Sequence, residues 1–197
     1  MSVGNPETGA FGPKKWKELH VGQIVKIKQD EFFPADLVLL NSSAPKGMCY
    51  IETKNLDGET NLKHKQGVKE LVDYLKVKSQ DGRALTLSYK DDETQATIDK
   101  HILDKMKGSY IECEPPNEML YKFEGNLGLG GTSDVVPLGP DQMLLRGSSL
   151  RNTEYIYGIV TFTGHETKIM KNSVRSQAKF SRLESALNTY IVLIVAI

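Results

Sequence analysis

The chain has 197 residues, 39% of them hydrophobic and 25% charged, with 25 basic side chains balancing 25 acidic ones. That length and apolar share suit one ordinary domain with a real core and exclude a disordered chain. Zero net charge argues against a basic nucleic-acid binder. Two cysteines, Cys49 and Cys113, with no signal peptide argue against a disulfide framework or a zinc ribbon, so reduced cytosolic thiols are expected.

Met1–Pro13 is rich in Gly and Pro without an apolar period, the pattern of a linker or expression remnant. From Trp16 to Leu40 the pattern is β. Val21, Ile24, Val25 and Ile27 alternate loosely with polar residues, and Leu37–Leu40 is a continuous buried-strand run preceded by Pro34. Asn41–Gly47 is a turn cluster, and Met48–Thr53 is a short strand leading into Asn55–Thr60.

Val68, Leu71, Val72 and Leu75 fall at i, i+3, i+4 and i+7, which predicts an amphipathic helix over 66–77. Asp81-Gly82 is a turn, and Leu85, Leu87 and Tyr89 alternate as a strand. Thr94–Lys107 carries Ile98, Ile102, Leu103 and Met106, a second predicted helix ended by Gly108. Strands are then expected at Ser109–Cys113, Met119–Phe123, Asp141–Leu145 and Tyr155–Thr163, with glycine-rich Gly125–Gly131 as a flexible hairpin connection. Glu166–Leu187 is charged and helix-compatible. Tyr190–Ile197 is uninterruptedly apolar, but shorter than the roughly 20 residues a membrane helix needs. It fits either a buried terminal element or the beginning of a truncated transmembrane helix. The whole predicts a mainly β, α+β domain with a helical insertion at about 66–108, whose flanking strands pair across the insertion to close one core.

Asp57-Gly58-Glu59-Thr60 is the densest polar constellation. Asp-Gly marks a turn, and a surface turn is the plain interpretation. The functional alternative places two carboxylates and a hydroxyl at a loop tip. There Gly58 permits close backbone approach to an anion and Glu59 orients or deprotonates a water. A two-carboxylate hydrolase using Asp57 and Glu59 is a further possibility. Gly125–Gly131 lacks the Gly-Lys-Ser/Thr of a phosphate loop, and the four histidines, His20, His64, His101 and His165, show no metal-ligand spacing. Arg146–Asn152 offers two arginines around a turn, either ion-paired or a docking patch for carboxylates or phosphates.

Several segments in order are together more specific: Phe33-Pro-Ala-Asp-Leu37, Thr53-Lys-Asn-Leu-Asp-Gly-Glu-Thr-Asn-Leu-Lys63, Cys113-Glu-Pro-Pro-Asn117, Leu144-Leu-Arg-Gly147, Leu150-Arg-Asn-Thr153 and Phe162-Thr-Gly-His-Glu-Thr-Lys168. Over 14–197 the chain resembles the actuator domain of P4-type ATPases, the phospholipid-translocating flippases. Gln23 stands where that family usually has Asp, and Ser148 where Cys is common. The resemblance implies a distorted β-sandwich or jelly-roll-like domain at 14–186, with 187–197 the start of a transmembrane helix. It also implies that Glu59 positions and partly deprotonates the water that hydrolyses an aspartyl-phosphate held elsewhere. Asp57 and Thr60 align the loop, and Gly58 gives clearance.

ATP and Mg²⁺ would serve the full-length pump through domains absent from this chain, and no cofactor is expected in the fragment, which alone should be inactive. The implied partners are the phosphorylation and nucleotide domains, membrane helices, the phospholipid and an accessory glycoprotein subunit, with no nucleic acid. The implied setting is a multi-pass membrane protein with this domain in the cytosol. A stand-alone β-rich binding module that docks through Arg146–Asn152 is the alternative from a different class.

Overall fold

A computed structural model describes residues 1–76 and 92–173. In chain order the strands are β1 (Ser2–Asn5), β2 (Ala10–Pro13), β3 (Ile24–Lys28), β4 (Asp36–Ser42), β5 (Met48–Glu52), β6 (Lys63–Gln66) and β7 (Tyr110–Cys113). They continue with β8 (Gly125–Gly128), β9 (Val135–Leu138), β10 (Met143–Leu144), β11 (Ser149–Arg151) and β12 (Tyr155–Phe162). The helices are α1 (Lys54–Asp57), α2 (Lys69–Tyr74), α3 (Asp92–Lys105) and α4 (Lys168–Asn172).

The run expected to be a buried strand, Leu37–Leu40, and the strand expected at Tyr155–Thr163 become β4 and β12, neighbours inside a six-stranded antiparallel sheet of order β10-β4-β12-β3-β1-β2. Every residue of both strands is buried. Alternation explains why, since successive side chains point to opposite faces and both faces are covered. Leu37, Leu39, Ile156 and Val160 face one core with Val25, Ile27, Cys49, Ile51 and Leu150. There the second sheet, β11-β5-β6, packs against the first as a sandwich. Val38, Leu40, Tyr157 and Ile159 face the other core with Leu71 and Leu75 from the α2 region and Ile98, Ile102 and Met106 from the α3 region. The third sheet, β7-β8-β9, contributes Leu127, Val136 and Leu138 to it. The domain is therefore mainly β with a few helices, and β12 with β3 and β4, and β11 with β5, pair across the helical insertion.

Four expectations need correction. Met1–Pro13 is no linker: β1 and β2 form an antiparallel hairpin, and β1 extends the main sheet by pairing Val3 with Val25. Val3 and Phe11 are too sparse to signal a strand locally, and it is the open edge of β3 that gives them a partner. Gly4 lies so close to α3 that a Cβ would stand 2.3 Å from the Leu103 side chain. Met119–Phe123 is a loop with Met119 and Tyr121 exposed, in which Phe123 is buried in the core and Leu120 packs partly against it. Asp141–Leu145 is a 3₁₀ turn followed by the two-residue β10.

The glycine-rich segment is not a flexible connection either. Gly125–Gly128 is β8, the central strand of its sheet. Its glycines are packing requirements: the Tyr110 ring occupies the place of a Gly128 Cβ, and a Gly130 Cβ would stand 1.9 Å from the Lys107 carbonyl oxygen. The predicted helices are observed at Lys69–Tyr74 and Asp92–Lys105. The turn at Asp81-Gly82, the strand at Leu85–Tyr89, most of the helix expected over Glu166–Leu187 and the apolar tail lie outside the described residues. No helix among the described residues is long and apolar enough to cross a membrane.

Candidate functional site

The Asp57–Thr60 tetrad lies in the connection between β5 and β6, which pair antiparallel with Ile51 opposite Lys63. The connection is not a tight hairpin turn. Thr53 starts a single helical turn, α1, in which the Leu56 and Asp57 amides donate to the Thr53 carbonyl at 2.7 and 3.1 Å. Gly58 ends it in the left-handed region at φ 76°, the conformation that a residue without Cβ adopts at no steric cost. A Cβ on Gly58 would meet nothing within 4 Å, so the surface beyond it is open.

Within this turn the two carboxylates have opposite fates. Asp57 points back into the domain, with its side chain 17% exposed. Its oxygens accept from Thr53 Oγ1 at 3.0 Å, the Glu59 amide at 3.0 Å, Lys63 Nζ at 2.6 Å and the Tyr121 hydroxyl at 2.6 Å. Desolvation pushes its pKa up, but the hydrogen bonds from Lys63, Tyr121, the Glu59 amide and Thr53 together outweigh it. They hold the carboxyl well below the usual range. Lys63 is correspondingly pushed up, first by Asp57 and also by Glu59 and Tyr121. Glu59, in contrast, is 59% exposed, and its one ion pair among the described residues is with Lys63 at 3.0 Å. Thr60 is exposed beside it.

The loop between β7 and β8 delivers Tyr121, and it is anchored far from the tetrad. Lys168, fully buried at the start of α4, donates from Nζ to Glu114 at 3.0 Å and to Asn117 at 2.8 Å. Its amide donates to Asp36 at 2.6 Å, and the Arg146 amide donates to the other oxygen of Asp36 at 2.8 Å. Burial raises the Asp36 pKa against the pull of these two amides. The motifs around Asp36, Glu114, Arg146 and Lys168, separate in sequence, thus meet at one knot.

The two arginines of Arg146–Asn152 differ: the Arg151 guanidinium is held by two carboxylates, whereas the partner given for Arg146 among the described residues is a carbonyl. Arg151 binds Glu52 at 2.8 and 3.0 Å and also pairs with Asp30. Arg146 donates to the Gly164 carbonyl at 3.0 Å. Among the described residues no group of three or more His, Cys, Asp or Glu side chains is placed to hold a metal ion. Lys63 and Tyr121 are the site residues that sequence reasoning missed. Lys63 closes the quoted motif six positions after Asp57, whereas Tyr121 carries no local signal at all.

No family model matches the chain. Curated relatives do. The chain is 47% identical over 189 residues to "Probable phospholipid-transporting ATPase 7" of Arabidopsis thaliana and 46% identical over 190 residues to phospholipid-transporting ATPase 6 of the same plant, in each case over 96% of its own length. It is 44% identical over 187 residues, 95% of its length, to a phospholipid-transporting ATPase of Schizosaccharomyces pombe. The chain spans 13% of the length of each of these three relatives. Across nearly all of its residues, therefore, this chain is a homologue of one segment of the P4-type, phospholipid-transporting ATPases.

Proposed function

We propose that the chain is the cytosolic actuator domain of an ATP-driven phospholipid-translocating pump in the membrane, and that its Asp57–Thr60 loop directs hydrolysis of an aspartyl-phosphate formed on another domain. The observation that carries this reading is the division of labour between the two carboxylates. Asp57 is saturated by four donor groups and braces the loop, while Glu59 projects from it into open space. That is the arrangement expected of a group that works on a second surface.

In the reaction a water oxygen attacks the phosphorus, the bond from phosphorus to the aspartyl oxygen breaks, and Glu59 accepts the proton of the water. The open side of Gly58 lets the backbone approach the phosphoryl group. A carboxylate facing a phosphoryl anion is repulsive, and Mg²⁺, when bound by the phosphorylated domain, would supply charge neutralisation there. Lys63, paired to both carboxylates, offsets part of that repulsion from this side. A two-carboxylate hydrolase is disfavoured, since the Asp57 oxygens already accept from four donor groups. A module docking through Arg151 is disfavoured, since Glu52 and Asp30 already occupy that guanidinium.

The test is Glu59→Gln in the full-length protein. Phosphoenzyme should form normally from ATP and decay about 10²–10⁴ times more slowly, the scale of a lost general base. Normal decay in that variant would sink the reading.

A further inference from the structure

Asp57 Oδ2 accepts from two groups outside its own turn, and they touch each other. Lys63 Nζ and the Tyr121 hydroxyl each reach it at 2.6 Å, and Lys63 Nζ lies 3.4 Å from the same hydroxyl. The ammonium also stands 4.9 Å from the centroid of the Tyr121 ring. The three side chains form a closed triangle in which the phenol donates to the carboxylate and accepts from the ammonium. Lys63 comes from the first residue of β6, and Tyr121 from a loop 64 positions after Asp57.

Tyr121 is 56% exposed, so burial does not account for its position. The loop that carries it is stiffened instead. The Glu114 amide donates to the Glu124 carbonyl at 3.2 Å, the Met119 amide to Asn117 Oδ1 at 3.0 Å, and Phe123 is sunk in the core. The buried Lys168 holds the base of the loop. A rigid strut from a different sheet thus ends on the carboxylate beside Glu59.

We propose that Tyr121, together with Lys63, is a positioning residue of the hydrolytic loop, acting through Asp57 to hold Glu59 at the angle from which it meets the phosphoryl group. This rests on the function proposed above. With the triangle intact, Asp57 accepts the Glu59 amide and closes the turn that follows α1. Without the phenol hydroxyl, α1 retains its backbone bonds but loses the direct hydrogen bond that ties Asp57 to the β7–β8 loop. The turn then samples orientations in which Glu59 misses its target, and small losses of orientation are expensive in rate. Lys63 contributes twice, since it spans Asp57 and Glu59 and is itself steered by the Tyr121 ring.

The experiment uses the full-length protein with Glu59→Gln, Tyr121→Phe, Lys63→Met, Lys63→Arg, Asp57→Asn and the double variant Asp57→Asn/Tyr121→Phe. Phosphoenzyme formation from ATP, the KM for ATP and the rate of phosphoenzyme decay are measured for each. In Tyr121→Phe, formation and KM should be unchanged and decay about tenfold slower, the scale of one hydrogen bond to a charged group. Lys63→Met should slow decay at least as much, and Lys63→Arg, which keeps the charge and the donors, should recover most of it. In an Asp57→Asn background, Tyr121→Phe should add nothing further, because its action passes through that carboxylate. Wild-type decay in Tyr121→Phe alongside slowed decay in Glu59→Gln overturns the positioning role and leaves the function standing. Normal decay in Glu59→Gln overturns the function beneath it. A fall in phosphoenzyme formation equal to the fall in decay, in Tyr121→Phe, marks general damage to the fold and also overturns the positioning role.

Discussion

Lys26 of β3 and Asp99 of α3 form an ion pair with Nζ 2.8 Å from Oδ1, their side chains only 8% and 14% exposed. The Tyr157 hydroxyl donates to the same carboxylate, Gln95 reaches it at 3.1 Å, and the Lys26 ammonium sits 4.7 Å from the Tyr155 ring centroid. Burial holds the Lys26 pKa below its ordinary value against the opposing pull of Asp99. The pair stitches the insertion helix to the main sheet. Asp99→Asn leaves the ammonium buried without its counter-charge and should cost about 3 kcal/mol of folding stability. Urea unfolding followed by circular dichroism measures it, and a loss under 1 kcal/mol would show that the pair is solvated and unimportant.

A second expectation concerns acid. The folded-state pKa of Asp57 lies below its ordinary 3.8, so the ionised form is bound more favourably in the native state. The resulting stabilisation is present above the unfolded value and is lost as pH falls below it toward the native one. In carbon-detected carboxyl NMR, Asp57 should therefore remain ionised at pH 3. Lys63→Met removes the strongest of the bonds that favour ionisation and should move its titration back toward 3.8. An ordinary titration in the unmodified chain would mean that the triangle of Asp57, Lys63 and Tyr121 does not persist in solution.

Ser148 supplies a third. It is fully buried, and its Oγ has no hydrogen-bond partner among the described residues. A buried hydroxyl without a partner carries an unrecovered desolvation cost. A cysteine thiol of similar size is far less costly to bury. Ser148→Cys should stabilise the domain by about 1 kcal/mol. A lowered unfolding midpoint for that variant would show that the hydroxyl is satisfied after all.

Much of the frame was legible before any coordinates. The run Leu37–Leu40 announced a buried strand and the stretch Tyr155–Thr163 a strand, and Ile98, Ile102, Leu103 and Met106 announced a helix. The tetrad at Asp57–Thr60 stood out for its density of polar groups around a glycine. What misled was always a segment whose structure depends on a distant neighbour. Val3 and Phe11 become strand residues only because β3 offers an unpaired edge. Gly128 and Gly130 looked like flexibility, yet each marks a place where Tyr110 or the Lys107 carbonyl leaves no room for a side chain.

Local pattern thus announced β3, β4, β5, β7, β12 and the two helices of the core, because periodicity records which face of each element is dry, but not β8, β9 or β11, which bury Leu127, Val136, Leu138 and Leu150. It also located the acidic turn, because Asp-Gly-Glu-Thr is contiguous. Which of the two carboxylates is engaged and which faces outward was decided only in three dimensions. That choice depends on Tyr121 arriving from another sheet on a loop anchored by Lys168, and contacts between residues so far apart leave no trace in the spacing of either segment.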